Sequence, residues 1–420
     1  MSFLAHGVGG RQDLPIPFEY ALAGALAALF ATFIVLTRSW PRSRFRGAAA
    51  GRPLPAGLAA FLDARATRVA LRVVGLLFAV WVVAELLFGP KLGRDNAAPG
   101  MLYVWIWVLV PLLSALFGPI WRLVSPMRTL HAGLSRLVRQ PPEQGILALS
   151  PRAGLWPGAA ALLAFLWLEL VAPDRASVPV VGLAFAVYAA FTLLGALLFG
   201  SGWFEAADPF EVYSTLAARL SPLGRRDDGR LVLRNPFDGL DATPIVPGLA
   251  AVVIVLLGST AYDSLSNAPQ WVSLTQGSGS ATFLGTAGML ACIAILGALY
   301  VVCSRKPGEF AHSILPIALG YVVAHYYSLA ILEGQRTLIV AVRGGESAGL
   351  TALDTTLANP AFVSALQVLA VLAGHIAGAV AAHDRATRVY PPGKVMAGQL
   401  PLLVLMLGYT YAGLTLLFAA

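Results

Sequence analysis

The chain has 420 residues, of which 58% are hydrophobic and only 12% are charged, and its mean hydropathy is +0.74. Soluble domains carry roughly 25% charged and about 45–50% apolar residues, so this composition excludes an ordinary soluble enzyme, a disordered chain and a disulfide-stapled secreted domain. A polytopic membrane protein remains. The net charge of +8 then reflects membrane topology, and no basic and aromatic stripe indicates a nucleic-acid partner.

Residues 1–19 precede the first apolar run, and we expect this segment outside the cytoplasm. It contains His6, Asp13 and three glycines, and it lacks the basic start of a signal peptide. Because glycines permit tight turns, the segment either folds back over the outer face or remains a loose tail. Four arginines follow the first run within residues 38–46 and predict that this side is cytoplasmic.

Ten apolar runs follow one another along residues 20–420, each near the roughly 20 residues that a helix needs to cross a bilayer. When residue 1 is placed outside and the runs alternate, 23 Lys and Arg residues face the cytoplasm and 6 face outwards. This excess predicts one all-α domain, a bundle of about ten transmembrane helices with both termini outside. The runs lie near 20–37, 69–89, 101–122, 155–172, 178–199, 245–262, 281–303, 311–333, 361–382 and 396–418.

Two stretches of the sequence resemble each other at offsets of 82 to 84 residues. They predict a parallel internal repeat, with units near 69–137 and 155–220, although chance matching of short apolar motifs is the alternative. In each unit a capping residue followed by proline opens an expected amphipathic helix on the cytoplasmic membrane surface, the second within loop 200–244 with Phe210, Tyr213 and Leu220 facing lipid. The matching pairs are Glu85 and Glu169, Phe117 and Phe199, Trp121 and Trp203, Ser125 and Asp208, and Arg136 and Arg219.

Acidic residues recur near the outer ends of the four helices that run outwards before the last one. Ionisable groups within membrane spans are costly and usually functional. The acids therefore form either a shared polar cavity that faces outwards or a set of separately hydrated side chains in the headgroup layer. They are Glu85, Glu169, Asp263 and Glu333.

Histidines add a second kind of ionisable group to the same spans. His325 lies eight residues before Glu333, and Tyr321 shares its helix face. His375 lies deep in the ninth run, between two glycines whose spacing lets another helix approach closely, and Gln367 lies two turns earlier. The other two candidates, at the cytoplasmic ends of spans eight and nine, are His312 and His383.

Imidazole and carboxylate groups together suit Zn, Mn or Fe, and an outer metal site is one interpretation of these residues. A haem b held by His312 and His383, or by His325 and His375, is another, as is a proton relay. The repeat and the acid-bearing helices also suit a carrier of a metal or other cation. No diagnostic metal, haem or nucleotide motif decides between them.

The stretch from His6 to Pro15, the span from Pro316 to Gln335 with Ala324-His325-Tyr326, and the segment from Asp208 to Leu231 resemble the bacterial fenitrothion hydrolase-like family. The resemblance covers nearly the whole chain. It implies a multi-pass protein of the bacterial plasma membrane that hydrolyses a lipophilic organophosphate triester and releases a nitrophenol. It assigns no catalytic residue.

For a hydrolase, we predict a divalent metal that lowers the pKa of a bound water towards 7 and polarises the phosphoryl group. His325 and Glu169 are the expected ligands, and His6, Asp263 or Glu333 completes the set. Asp13 or another acid, Asp263 among them, acts as general base. A neutral triester dissolves in lipid, so a site at the outer membrane surface is physically reasonable.

Overall fold

The computed structural model describes residues 9–343 and 353–418, and long apolar helices dominate this part of the chain. The helices are α1 Phe18–Ser39, α2 Ala56–Asp63, α3 Arg65–Phe88, α4 Ala98–Gly100, α5 Val110–Phe117, α6 Ile120–Val124, α7 Pro126–Leu137, α8 Trp156–Leu170, α9 Val178–Phe199, α10 Gly202–Ala207, α11 Pro209–Ala217, α12 Pro236–Asp241, α13 Leu249–Ser266, α14 Pro269–Gln276, α15 Ala281–Ser304, α16 Pro307–Phe310, α17 Leu315–Arg343, α18 Pro360–Val389 and α19 Val395–Leu417.

Nine helical segments within the described residues are long and apolar enough to cross a membrane, which confirms the helical membrane-protein class. They are α1, α3, the run Ala98–Phe117, α9, α13, α15, the run Pro307–Arg343, α18 and α19. The remaining predicted run, 155–172, forms α8, which has only 15 residues. At 1.5 Å per residue it is about 22 Å long, shorter than the roughly 30 Å hydrocarbon core of a bilayer.

The helical run Ala98–Phe117 changes from α-helix to π-helix in its middle. Residues Met101–Leu109 form a π-helix between α4 and α5, and most of these side chains are buried. π-Helical turns are rare and often lie at functional sites, because the extra residue in each turn re-aims side chains. Here the wide turns face α17, where the Trp105 indole donates a hydrogen bond to the Gly334 carbonyl oxygen at 3.3 Å.

Helices α17 and α18 approach each other closely enough for their backbones to touch. A Cβ atom on Gly374 would lie 2.6 Å from the Pro316 carbonyl oxygen, and one on Gly378 would lie 2.7 Å from that of Ser313. The close approach predicted from the spacing of these two glycines is confirmed. It fixes α17, which carries His325, against the helix that carries His375.

A small antiparallel sheet lies at one end of the bundle, which we call the arginine end because it also carries Arg128, Arg219 and Arg385. Its strands are β1 Arg52–Pro53, β2 Leu223–Arg225 and β3 Leu231–Leu233, in the order β1-β3-β2, with Leu223 opposite Leu233. The sheet joins the segment after α1 to the loop after α11. Arg385 ties α18 to the same region through ion pairs with Asp241 and Glu309.

The two stretches predicted to be repeats have similar local geometry. Helices α5 and α9 both end at a glycine with positive φ, Gly118 at 94° and Gly200 at 75°. After one short helix in each stretch, a capping side chain begins the next helix. At the start of α7, Ser125 accepts from the backbone N–H of Arg128, and at the start of α11, Asp208 accepts from those of Phe210 and Glu211. Both predicted caps are confirmed.

Of the two helices predicted to lie on the membrane surface, α7 has an exposed apolar face and α11 does not. Helix α7 exposes Leu130, Leu134 and Leu137, as a helix on a membrane surface does. In α11, by contrast, Phe210 and Tyr213 are each only 4% exposed. The prediction is therefore wrong for α11, whose polar side is also covered because Glu211 forms an ion pair with Arg128.

Asp208 shows how much the buried position of α11 depends on polar contacts. Its carboxylate accepts hydrogen bonds from the Tyr188 hydroxyl at 2.8 Å and the Trp121 indole at 3.1 Å. Burial raises the pKa of Asp208 to about 7, and repulsion by Glu211 adds to the shift. These contacts join α9, α6 and α11, so this acid serves the fold.

The contact between α17 and α18 predicts an asymmetric response to adding one methyl group. Gly374→Ala should destabilise the protein by about 1–3 kcal/mol, because the new Cβ overlaps a backbone carbonyl that cannot move independently. Gly408→Ala in α19 is the matched control, since nothing lies within 4 Å of a Cβ built there. Thermal unfolding of the purified protein measures both, and equal stability of the two variants would contradict the helix contact.

Candidate functional site

Three of the four recurring acids line one cavity at the end of the bundle opposite the arginine end. Glu169 comes from the last turn of α8, Asp263 from α13 and Glu333 from α17, and the cavity has a volume of about 80 Å³. Glu85 is not among its lining residues. The structure thus favours a shared cavity over separately hydrated acids for three of the four residues.

The hydroxyl group of Tyr326 joins two of these acids. Its Oη lies 2.9 Å from Asp263 Oδ2 and 3.1 Å from Glu169 Oε1. Asp263 is only 5% exposed. Glu169 Oε2 is buried and has no hydrogen-bond partner within residues 9–343 and 353–418.

This bridge constrains the protons in the site. A tyrosine hydroxyl carries one hydrogen, so it can donate to one carboxylate, and the second contact is a hydrogen bond only if that carboxyl group donates in return. Asp263 Oδ2 also lies 3.0 Å from His325 Nε2, a second potential donor. The geometry therefore fits a charged Asp263 that accepts from Tyr326 and lies against His325, and a protonated Glu169 that donates to Tyr326.

His325 is held in place by its neighbours on α17 and α13. Its ring stacks on that of Tyr321 at 5.1 Å between centroids and meets Tyr326 edge-on at 4.9 Å. The Tyr321 hydroxyl in turn lies 2.8 Å from Ser264 Oγ, next to Asp263. The imidazole is therefore oriented by packing, which pre-organises its contact with Asp263.

Cationic side chains line the same cavity as the acids. Arg336 forms an ion pair with Glu333 at 3.0 Å and donates to the Arg94 carbonyl oxygen at 2.7 Å. Arg175 donates to the carbonyl oxygen of Leu170 at 3.0 Å, which places it beside Glu169. The cavity is lined by Arg94, Arg175 and Arg336 in addition to its three acids, so it can bind a polar group with developing negative charge.

Asp13, the candidate of the N-terminal segment that the structure describes, lies elsewhere. Asp13 accepts a hydrogen bond from the backbone N–H of Gly10 at 2.8 Å, and Ser364 at the start of α18 donates to the Gly10 carbonyl oxygen at 3.3 Å. This part of the segment folds back on the bundle, but Asp13 does not line the cavity. His6 lies outside the described residues.

The histidines at the arginine end are built into the fold. His383 uses both ring nitrogens: Nε2 donates to the Trp40 carbonyl oxygen at 3.0 Å, and Nδ1 accepts from the Gln399 amide Nε2 at 3.0 Å. His312 is buried, with 3% exposure. The engaged nitrogens of His383 leave no lone pair for a haem iron.

His375 and Gln367 lie inside the bundle on α18, away from the acidic cavity. His375 Nδ1 lies 2.8 Å from the Val371 carbonyl oxygen of its own helix. Gln367 is buried with 7% exposure, and its Oε1 has no hydrogen-bond partner within the described part of the chain. Neither residue joins the network around Tyr326.

The predicted metal ligands come together only in part. His325, Asp263 and Glu169 are neighbours, but Tyr326 stands between the two carboxylates. In residues 9–343 and 353–418, no three His, Cys, Asp or Glu side chains are placed to hold one metal ion. The metal set therefore remains a prediction.

Sequence patterns missed Tyr326 as a member of the site. It follows His325 directly, and adjacent residues on a helix point about 100° apart, so spacing did not predict that both contact Asp263. A tyrosine beside a buried histidine in an apolar span was the available signal. Arg175 and Tyr103 were also missed, because the Tyr103 hydroxyl reaches the Arg175 carbonyl, at 2.9 Å, only through the fold.

Comparison of the chain with protein-family models, with curated proteins and with solved structures finds no match.

The proton count in the site predicts that Glu169, and not Glu333, is the protonated acid. Glu169→Gln should remove an infrared C=O stretch typical of a protonated carboxylic acid, whereas Glu333→Gln should not, because Glu333 is ion-paired with Arg336. Glu169→Ala should cost about 1–3 kcal/mol in unfolding free energy, since it leaves polar groups unpaired. An unchanged C=O band in Glu169→Gln would show that Glu169 is not the protonated acid.

Proposed function

We propose that this chain is a membrane-embedded hydrolase of lipophilic esters, of the organophosphate triester class, and that it acts in the cavity between α8, α13 and α17. One observation supports this most: a single hydroxyl group, that of Tyr326, bridges two carboxyl groups that line the cavity. A shared site then holds one proton donor and one proton acceptor. General acid–base catalysis needs such a pair.

In the proposed reaction, Asp263 accepts a proton from a water molecule in the cavity as the water oxygen attacks the phosphorus atom. Glu169 gives its proton to the oxygen of the departing alcohol or phenol as the P–O bond breaks. The products are a phosphodiester and an alcohol or phenol. His325, whose Nε2 lies 3.0 Å from Asp263 Oδ2, orients the base.

Tyr326 returns the site to its starting state. After one turnover Asp263 carries the proton and Glu169 is charged. Tyr326 can pass its own hydroxyl proton to Glu169 while it takes the proton of Asp263, since its Oη lies within 3.1 Å of both carboxyl groups. No charge needs to leave the cavity during this transfer.

The arginine side chains are assigned to the phosphoryl group. Negative charge develops on the oxygens around phosphorus in the transition state, and cationic groups at fixed positions stabilise it. Arg175 and Arg336 line the cavity. The cavity of about 80 Å³ has room for water and the reacting group, while the apolar substituents of the substrate remain near lipid.

The topology proposed from the arginine distribution places this cavity at the outer face of the bacterial plasma membrane. We assign ten crossings with both termini outside, α8 being the short one, and the arginine end in the cytoplasm. The matched glycine ends and caps of the 69–137 and 155–220 stretches support their origin as a parallel repeat.

Hydrolysis should depend on the two bridged acids. Glu169→Gln and Asp263→Asn should each lower kcat for a nitrophenyl phosphotriester by about 10²–10⁴-fold, measured as release of nitrophenolate by protein in nanodiscs. Tyr326→Phe should complete a first turnover and then slow, because the proton can no longer return. Glu85→Gln should keep full activity, since Glu85 does not line the cavity.

A wild-type protein with no turnover, or a Glu169→Gln variant as active as wild type, would refute this assignment. Elemental analysis and a chelator titration of the same samples test the predicted Zn, Mn or Fe, and His325→Ala should lower the metal content if His325 is a ligand. An absorption spectrum tests for haem b.

A proton-coupled carrier of a cation is the second candidate, and a specific observation favours it. A separate void of about 10 Å³ shares Asp263 with the acidic cavity and is also lined by Tyr326, Tyr213 and Thr260. Buried acidic and tyrosine side chains along such a line, with His325 beside Asp263, are typical of proton relays in membranes.

The carrier makes a different prediction in sealed vesicles. Wild-type protein in liposomes that contain a pH-sensitive dye should move protons when a cation gradient is applied, and Asp263→Asn should abolish the movement. Glu85→Gln again serves as the control. Absence of any proton movement, together with triester turnover, would leave the hydrolase as the better assignment.

A further inference from the structure

A second cavity lies inside the bundle, separate from the acidic one. It has a volume of about 240 Å³ and an almost entirely apolar lining contributed by α13, α15, α17, α18 and α19. It is bordered by Ile295 of α15, which is 60% exposed, and by the exposed Ala412 of α19. The cavity therefore opens between these two helices, towards the lipid-facing side of the bundle.

One polar atom in this cavity lacks a partner. The lining hydroxyl groups are all engaged: Thr260 with the Leu257 carbonyl, Ser264 with Tyr321, and Tyr409 with the Leu296 carbonyl. His375 also lines the cavity and is only 5% exposed. Within the described residues, its Nε2 has no hydrogen-bond partner.

The chemistry of this nitrogen follows from its neighbour in the ring. His375 Nδ1 lies 2.8 Å from the Val371 carbonyl oxygen, which can only accept, so Nδ1 carries the hydrogen. Among the described residues, no acidic side chain lines the cavity, and a buried imidazolium without a counter-ion is costly. Nε2 is then a buried hydrogen-bond acceptor on a residue that lines an apolar chamber.

We propose that this cavity binds a lipid-soluble alcohol or phenol, with its hydroxyl group donating to His375 Nε2 and its hydrocarbon part in the apolar chamber. The occupant enters from the bilayer between α15 and α19. An apolar molecule without a donor would leave the buried nitrogen unsatisfied. This proposal goes beyond the proposed hydrolysis and does not depend on it.

The test compares two probes that differ in one hydrogen-bond donor. The partition of 4-hexylphenol and of its methyl ether, 4-hexylanisole, is measured between empty nanodiscs and nanodiscs that contain the protein, because sugar-based detergents carry competing hydroxyl groups. Wild-type protein should bind the phenol at least fivefold more tightly than the ether, the factor for a hydrogen bond of about 1 kcal/mol.

Two variants distinguish the contribution of the hydrogen bond to His375 from that of access to the cavity. His375→Phe keeps an aromatic ring and should bind both probes with equal affinity, whereas Ala412→Leu narrows the opening and should weaken both. Equal binding of the two probes by wild-type protein would overturn the proposal. So would a phenol preference that survives in His375→Phe. If His375→Phe fails to fold, the wild-type comparison still decides.

Discussion

The cost of placing charge inside a bilayer is the constraint on which the site depends. Two carboxyl groups and an imidazole lie close together on three helices, where few water molecules can solvate them. Contacts among the three groups lower this cost. The Tyr326 hydroxyl lies between Glu169 and Asp263, and His325 lies on the other side of Asp263. The same contacts create a donor and an acceptor next to each other, which is the property that a catalytic or proton-carrying site needs.

The lengths and shapes of the helices fix where this network lies in the bundle. Because α8 has only 15 residues, its last turn ends among longer neighbours, and Glu169 meets side chains from α13 and α17. The π-helical stretch Met101–Leu109 widens the backbone opposite α17 and brings Tyr103 and Val104 to the cavity wall. The glycine contact between α17 and α18 keeps α17 in position from behind. A short helix and an irregular one thus border the site together with the long helices α13 and α17.

The sequence was sufficient for the membrane class, because the composition and the length of the apolar runs follow directly from the bilayer. It also predicted the caps at Ser125 and Asp208 and the close approach at Gly374, since these depend on neighbouring residues. The predicted surface position of α11 was wrong. Phe210 and Tyr213 form an apolar face, and a helix needs such a face both on a membrane surface and in the interior of a protein. The partner that settles this, Arg128 for Glu211, is 83 residues away.

The acids illustrate the same limit within the site. Their recurrence indicated a shared cavity, and three of them do line one, but the sequence could not say that Glu85 is absent from it. Nor could it place a hydroxyl group where we had expected a metal ion. The site is also linked to the second cavity, because Tyr321 lines that cavity and its ring stacks on that of His325. A molecule bound in the second cavity would contact Tyr321, and Tyr321 is the residue whose ring orients His325 beside Asp263.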